Sequence, residues 1–204
     1  MMTLANRLTI SRLVLAAAAF VCIIMNGAGP KITALALFII ASLTDWLDGK
    51  IARETGTVTQ FGAIADPFVD KILVLSAFLA FASLKTIEVP LWAVFLIIAR
   101  ELMVSSLRVL AALQGTLMSA ERAGKLKTAV QYVVCYAIIA ILIVRELALD
   151  PNFTHGERMA RIADVTNHWP YALTILTMAV TVASGIIYLR THWSILTNSW
   201  SVKK

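Results

Sequence analysis

Residues 31–51 read KITALALFIIASLTDWLDGKI, and residues 62–84 read GAIADPFVDKILVLSAFLAFASL. Each segment has the length and apolar character of a membrane-spanning helix, yet each carries two aspartates, Asp45 with Asp48 and Asp66 with Asp70. One acidic residue near mid-membrane costs about 2.5–3.5 kcal/mol, so four would cost on the order of 10 kcal/mol. We therefore expect cations to compensate them. Two divalent cations would neutralise four carboxylates, whose oxygens are ligands that Mg2+ and Mn2+ prefer.

The spacing of the aspartates predicts that they share one site. Asp45 and Asp48 are three residues apart and Asp66 and Asp70 are four apart, so each pair projects from one face of a helix. The short connection between the two segments places both pairs in one layer. An alternative is a pair of solvated helix ends with salt bridges to Lys50, Arg53 and Lys71, but four acids at this spacing favour a metal site.

The composition predicts an all-α integral membrane protein with a polar metal-binding cavity at its cytoplasmic side. Of the residues, 59% are hydrophobic and only 15% are charged. Apolar runs of about 20 residues predict six transmembrane helices in one domain over 1–204. The predicted spans are 8–27, 31–51, 62–84, 89–111, 126–147 and 169–190. The first run lacks a small-residue cleavage site, so we expect it to remain as a span.

The basic residues predict the orientation. With a cytoplasmic N-terminus, eleven of them fall inside and five outside, the latter being Lys31, Lys85, Arg145, Arg158 and Arg161. Both termini and the carboxylate layer would then face the cytoplasm of a bacterial-type inner membrane, and 150–168 would form an outer loop with a surface helix. The net charge of +6 fits anionic membrane lipids and phosphorylated substrates better than nucleic acid, because no soluble basic face is predicted.

The aspartates belong to a longer string, Asp45-x-x-Asp48-Gly49-x-x-Ala52-Arg53, eight residues, then Gly62-x-x-x-Asp66-x-x-x-Asp70. This string resembles the signature of the CDP-alcohol phosphotransferases, integral membrane enzymes of lipid synthesis, at all eight of its defined positions. Similarity extends from residue 4 to about residue 131. It includes the opening segment from Asn6 to Arg12, the Arg100-Glu101 pair with Arg108, and the segment from Gly124 to Thr128.

The resemblance implies a reaction and a donor site. The phosphatidyl group of CDP-diacylglycerol would pass to an alcohol, with release of CMP. Two divalent cations, Mg2+ or Mn2+, would be held by Asp45, Asp48 and Asp66, and Asp70 would be the general base while also touching the second metal. The resemblance assigns CDP-diacylglycerol binding to Gly49, Ala52, Arg53 and Gly62, with Asn6 and Thr9 beside them.

The resemblance also favours glycerol 3-phosphate as the acceptor, with Arg12, Arg100, Arg108, Lys125 and Lys127 as its binding residues. Glu101 is the expected partner of Arg100. Arg100 and Arg108 are separated by about 12 Å of helix rise, so one phosphate reaches both only if it lies between them or the helix bends.

Other interpretations remain open at this point. Inositol phosphate, serine or a second phosphatidylglycerol could replace glycerol 3-phosphate as the acceptor, and the family suggests a homodimer. A divalent-cation transporter would also bury carboxylates. It is less favoured, because the four aspartates cluster at one face and no polar residues continue through the outer halves of their helices.

Overall fold

The computed structural model describes residues 4–55, 60–113, 122–150 and 156–193, with side chains for 11–44, 71–111, 126–150 and 158–193. Within these ranges the regular secondary structure is entirely α-helical. The helices are α1 (Leu4–Ile24), α2 (Ala28–Thr55), α3 (Gln60–Ser83), α4 (Leu91–Leu113), α5 (Arg122–Leu149), α6 (Gly156–Val165) and α7 (Trp169–Thr191). Each of the six predicted spans overlaps one helix, with ends that differ by up to four residues, and α6 lies within the segment 150–168.

The helix boundaries follow glycine and proline. α1 ends at Ile24, three residues before the predicted end. Gly27 then turns the chain with a φ of +100°, a backbone conformation that residues other than glycine rarely adopt. Pro30 lies in the first turn of α2, where its missing N–H leaves no helical hydrogen bond unmade. Pro90 similarly precedes α4, and its carbonyl accepts hydrogen bonds from the N–H groups of Ala93 and Val94 at 3.0 and 3.2 Å.

Two groups of helices meet at α5. α1 packs on α2 and α3, and both α2 and α3 also contact α5. α4 contacts α3 on one side and α7 on the other, α7 also contacts α5, and α6 packs on α5. The larger apolar core lies between α1, α2, α3, α4 and α5, with Phe38, Phe78 and Phe81 among its fully buried side chains. The contacts therefore link α3, α4, α7 and α5 in a ring, in which each helix packs on the next.

Helix α7 has its polarity reversed relative to a helix of a water-soluble protein. Its buried face consists mainly of small or polar residues, namely Pro170, Thr174, Thr177, Thr181, Ser184, Gly185 and Tyr188. Leu176, Ile186 and Ile187 are exposed on the outside. The Thr174 and Thr177 hydroxyls donate to carbonyls of their own helix, at 2.7 and 2.8 Å, so burial leaves them satisfied. Small and hydroxyl-bearing residues inside, with aliphatic residues outside, are typical of helices packed within lipid.

Two helical segments among the described side chains are long and apolar enough to cross a membrane, Leu126–Leu149 in α5 and Arg158–Thr191, which contains α7. Only about a third of the most apolar window of each is buried. A core helix of a soluble protein would be mostly buried, so these exposed apolar surfaces favour contact with lipid. Shorter apolar stretches, Ser11–Ile24, Ala28–Thr44 and Lys71–Ser83, belong to α1, α2 and α3.

Candidate active site

The four aspartates lie on two successive helices, as the sequence predicts. Asp45 and Asp48 are in α2, and Asp66 and Asp70 are in α3. Their side chains fall outside the described residues, as do those of Asn6, Thr9, Gly49, Ala52, Arg53, Gly62 and Lys125. Among the side chains that are described, no three His, Cys, Asp or Glu residues come together as a metal site. The metal and CDP-diacylglycerol assignments therefore stay predictions.

Beyond Asp70, the structure describes a polar cluster built around one carboxylate. Glu101 on α4 is 0% exposed. Its Oε1 atom accepts hydrogen bonds from Lys127 Nζ, from Arg100 Nη1 at 3.1 Å and from Gln131 Nε2 at 3.2 Å. Its Oε2 atom lies 3.3 Å from Lys71 Nζ. We call Glu101, Lys71, Arg100 and Lys127 the Glu101 cluster.

Lys71 ties this cluster to the aspartate signature, because it directly follows Asp70 on α3. Its ammonium group contacts the Glu101 carboxylate, and it donates to the Glu101 backbone carbonyl at 3.3 Å and to the Ser105 hydroxyl. Ser105 Oγ in turn donates to the Glu101 carbonyl at 2.8 Å. The sequence suggested Lys71 only as a salt-bridge partner of the aspartates, and its pairing with Glu101 is a new finding.

Arg100 is one of the predicted acceptor-binding residues, and its predicted pairing with Glu101 is observed. Its side chain is almost fully buried between α4 and α7. Nη2 donates to Ser184 Oγ on α7 at 2.8 Å, while Nε is buried with no hydrogen-bond partner in the described part of the chain. A guanidinium carries five N–H donors in a fixed fork, so Arg100 keeps donor capacity for a ligand.

Lys127, another predicted acceptor-binding residue, enters the cluster from α5 and is buried. Gln131 lies one helical turn further along the same face. Its Nε2 atom bridges Glu101 Oε1 and Thr181 Oγ1 of α7, the latter at 3.3 Å. Neither Gln131 nor Thr181 was identified from the sequence, because an uncharged polar residue in a span resembles ordinary helix packing.

Arg108 and Arg12 complete the predicted acceptor set among the described side chains. The Arg108 guanidinium lies over the Tyr188 ring, 5.7 Å from its centroid, and the His192 ring packs on the same tyrosine at 4.5 Å. Arg108 is also within electrostatic range of Lys71 and Arg100. Arg12 lies partly buried on α1, whereas the contacts around Glu101 come from α3, α4, α5 and α7.

The cluster has a surplus of positive charge. Lys71, Arg100 and Lys127 contact the Glu101 carboxylate, and Arg108 lies within electrostatic range of Lys71 and Arg100. Together these five described side chains carry a net charge of +3. Uncompensated buried charge is costly unless a counter-charge neutralises it. A small phosphate dianion would supply most of that counter-charge, and Lys and Arg are the side chains that bind phosphate.

Comparison with known proteins places these features in a family. The family model for CDP-alcohol phosphatidyltransferases matches residues 2–183. CDP-diacylglycerol-glycerol-3-phosphate 3-phosphatidyltransferase of Bacillus subtilis is 37% identical over 135 residues, which are 66% of this chain and 69% of that protein. A probable phosphatidylglycerophosphate synthase of Mycobacterium tuberculosis is 40% identical over 133 residues, 64% of this chain and 62% of that protein.

A third relative covers more of the chain. Cardiolipin synthase (CMP-forming) of Oryza sativa is 32% identical over an alignment of 209 residues, which takes in 96% of this chain and 59% of that protein. The relatives thus differ in the acceptor that their names imply, while the family match runs through the aspartates and the Glu101 cluster alike. The chain belongs to the CDP-alcohol phosphatidyltransferase family.

Proposed function

We propose that the chain transfers the phosphatidyl group of CDP-diacylglycerol to sn-glycerol 3-phosphate, giving phosphatidylglycerophosphate and CMP. Several relatives are named for this reaction. The proposal of glycerol 3-phosphate as the acceptor rests on the Glu101 cluster, in which three cations contact one carboxylate close to the last signature aspartate. Family membership favours transfer of a phosphatidyl group over cation transport.

The proposed setting is a bacterial-type inner membrane. Helices α1, α2, α3, α4, α5 and α7 contain 21 to 28 residues, which corresponds to about 31–42 Å of length and spans a hydrocarbon core of about 30 Å. The apolar exterior of the bundle and the polar inner face of α7 support this setting. Both termini would be cytoplasmic and α6 would lie on the outer side. A single domain over 1–204 and a homodimer are further proposals, and the mass of the detergent-solubilised protein tests the dimer.

The metal site would be formed by Asp45, Asp48, Asp66 and Asp70. Four hard oxygen donors on two successive helices suit two Mg2+ or Mn2+ ions. When bound, such ions neutralise the pyrophosphate oxygens and the departing phosphate of CDP-diacylglycerol. The remaining contacts to CDP-diacylglycerol would come from Gly49, Ala52, Arg53 and Gly62, with Asn6 and Thr9 of α1 beside them. Arg53 suits the diphosphate, because a guanidinium grips phosphate oxygens in pairs.

The chain's own residues would hold the acceptor and move its proton. Arg100, Arg108, Lys125 and Lys127, with Arg12 from α1, would hold the phosphate of glycerol 3-phosphate. Asp70 would take the proton from the acceptor hydroxyl as its oxygen attacks the phosphorus that carries the diacylglycerol ester. A new phosphorus–oxygen bond then forms, the bond from that phosphorus to the CMP oxygen breaks, and CMP leaves with the electron pair.

The test is an acceptor panel with purified protein. CDP-diacylglycerol, Mg2+ or Mn2+, and one acceptor at a time would be incubated, and CMP release followed. We expect release with glycerol 3-phosphate and loss of release in EDTA. Asp45→Asn, Asp48→Asn, Asp66→Asn and Asp70→Asn should each abolish release while the protein stays folded, because the amide removes charge without changing volume. Full activity in all four variants would refute the assigned site.

Cardiolipin formation is the second candidate, because the rice cardiolipin synthase aligns along nearly the whole chain. Its acceptor, phosphatidylglycerol, is a lipid phosphodiester with one negative charge. The net charge of +3 on the Glu101 cluster together with Arg108 suits a compact dianion better than a monoanionic diester. CMP release with phosphatidylglycerol but not with glycerol 3-phosphate would keep the family chemistry and replace the acceptor.

A further inference from the structure

Arg100 is held in place from α7, a helix that carries none of the signature residues. Its Nη2 atom donates to Ser184 Oγ at 2.8 Å, 84 positions further along the chain. Ser184 Oγ itself donates to the Thr181 carbonyl at 2.9 Å. Because that bond uses the only hydroxyl proton of Ser184, its oxygen is left to accept from the guanidinium.

The neighbouring residue on α7 provides the space that Arg100 occupies. A Cβ atom at Gly185 would stand 2.8 Å from Arg100 Cγ, 3.1 Å from Nε and 3.5 Å from Cδ. The first distance is shorter than real Cβ contacts, and Cγ is close to the backbone, so the arginine could not avoid it by moving its tip alone. Glycine is a poor helix former, and at this position its backbone needs no left-handed conformation. The space for Arg100 is therefore the physical reason for glycine here.

A second set of bonds fixes the carboxylate that Arg100 pairs with. Thr181 Oγ1 on α7 accepts from Gln131 Nε2, and the same nitrogen donates to Glu101 Oε1. Helix α7 therefore positions both the Arg100 guanidinium, through Ser184, and its partner Glu101, through Thr181 and Gln131. The Arg100 Nε atom lies buried against Gly185 and has no hydrogen-bond partner among the described residues.

We propose that Ser184 and Gly185 are positioning residues for the acceptor, which set the place and tilt of the Arg100 guanidinium that binds the phosphate of glycerol 3-phosphate. The proposal rests on the proposed function, since it takes Arg100 as an acceptor ligand. It adds that residues of α7, outside the aspartate signature, affect the affinity for the acceptor. A displacement of about 1 Å at a positioned group can change rates by about a hundredfold, so a methyl group at Gly185 is sufficient to disturb binding.

The central variant is Gly185→Ala, with Gly29→Ala as its matched control because a Cβ there meets nothing within 4 Å. We expect Gly185→Ala to raise the KM for glycerol 3-phosphate about tenfold or more, with the KM for CDP-diacylglycerol unchanged. Ser184→Ala, which removes the acceptor of the 2.8 Å bond, should act in the same direction. Gly29→Ala should leave both KM values at their wild-type levels.

A double-mutant cycle separates positioning from general packing. In an Arg100→Ala background the clashing atoms are gone, so Gly185→Ala should raise the KM for glycerol 3-phosphate no further. Additive effects, or a Gly185→Ala protein with an unchanged acceptor KM, would overturn the proposal. If Gly185→Ala does not fold, the Ser184→Ala variant decides alone by the same KM comparison. Wild-type protein that releases no CMP with glycerol 3-phosphate would instead refute the proposed function, so the two failures are distinguishable.

Discussion

The protein buries cations in two regions, and the two regions neutralise them differently. Lys31, at the start of α2, is 1% exposed, and its Nζ donates to the carbonyls of Ile23 and Met25, the latter at 2.6 Å. It also interacts electrostatically with Glu146 of α5. There, one cation meets one carboxylate and the free carbonyls at the end of α1. In the Glu101 cluster, by contrast, three cations share one carboxylate, and a fourth, Arg108, lies within electrostatic range of two of them.

The difference separates a structural role from a binding role. Carbonyls at a helix C-terminus lack helical partners and carry partial negative charge, so Lys31 completes the end of α1 without a ligand. Among the described side chains, the Glu101 cluster has more positive than negative charge, which an anionic ligand can neutralise. A buried lysine in a span is therefore not by itself a sign of a binding site, and the surplus of charge is the more informative feature.

The largest effect is expected for Glu101→Gln. The amide keeps the shape of the side chain but leaves Lys71, Arg100 and Lys127 without their common counter-charge. Removing one partner from a buried ion pair costs about 3–5 kcal/mol. We expect a large fall in thermal stability in detergent together with loss of CMP release. Glu88→Gln, at an exposed carboxylate, is the control and should change neither. An unaltered melting temperature in Glu101→Gln would remove Glu101 from the centre of the cluster.

An intermediate effect is expected for Lys127→Met, which keeps the length of the side chain and removes its charge. A hydrogen bond to a charged group contributes about 1.5–3 kcal/mol, so the KM for glycerol 3-phosphate should rise by roughly 10- to 150-fold. The KM for CDP-diacylglycerol should change little. Steady-state kinetics with each substrate varied in turn measure both values.

Lys31→Met is the matched variant in the other region. It leaves the end carbonyls of α1 unsatisfied, so we expect lower thermal stability at a wild-type KM for glycerol 3-phosphate. If Lys31→Met raised that KM as much as Lys127→Met does, the distinction between the two regions would be wrong.

The smallest effect is expected for Tyr188→Leu. The aromatic ring under Arg108 contributes about 0.5–2 kcal/mol through its cation–π interaction, and leucine preserves an apolar contact without the ring. The KM for glycerol 3-phosphate should rise by about 2- to 30-fold. Tyr188→Phe keeps the ring and therefore the cation–π interaction, so its KM should lie closer to wild type than that of Tyr188→Leu. An equal loss in both variants would assign the effect to the hydroxyl group.

The helices were largely predictable from the sequence because long apolar runs have few other structures available. The differences lie at the ends: α5 begins at Arg122 rather than 126, since a helix continues through charged residues that a hydropathy pattern excludes. The predicted pairing of Arg100 with Glu101 is confirmed, and Lys127 joins the same carboxylate. The aspartate site stays a prediction.

The contribution of α7 was not predictable from charge. Thr181, Ser184 and Gly185 carry none, and their role depends on which helix they face. One pattern could have indicated it: Thr174, Thr177, Thr181 and Ser184 recur at intervals of three or four, which marks one helical face as polar. That face could then have been expected to point inward, because its opposite is aliphatic.

The contacts between the end of α1 and the start of α2 have a consequence for membrane insertion. Lys31 reaches carbonyls only six and eight residues earlier in the chain, and Gly27 makes the turn between them. These contacts can form as soon as the first two helices leave the ribosome, so we expect α1 and α2 to insert as a hairpin. Glu146, which accepts the Gly27 N–H at 2.9 Å, is synthesised more than a hundred residues later. Its bond would stabilise a hairpin that has already formed. Insertion intermediates that end before α5 should therefore already contain α1 packed against α2.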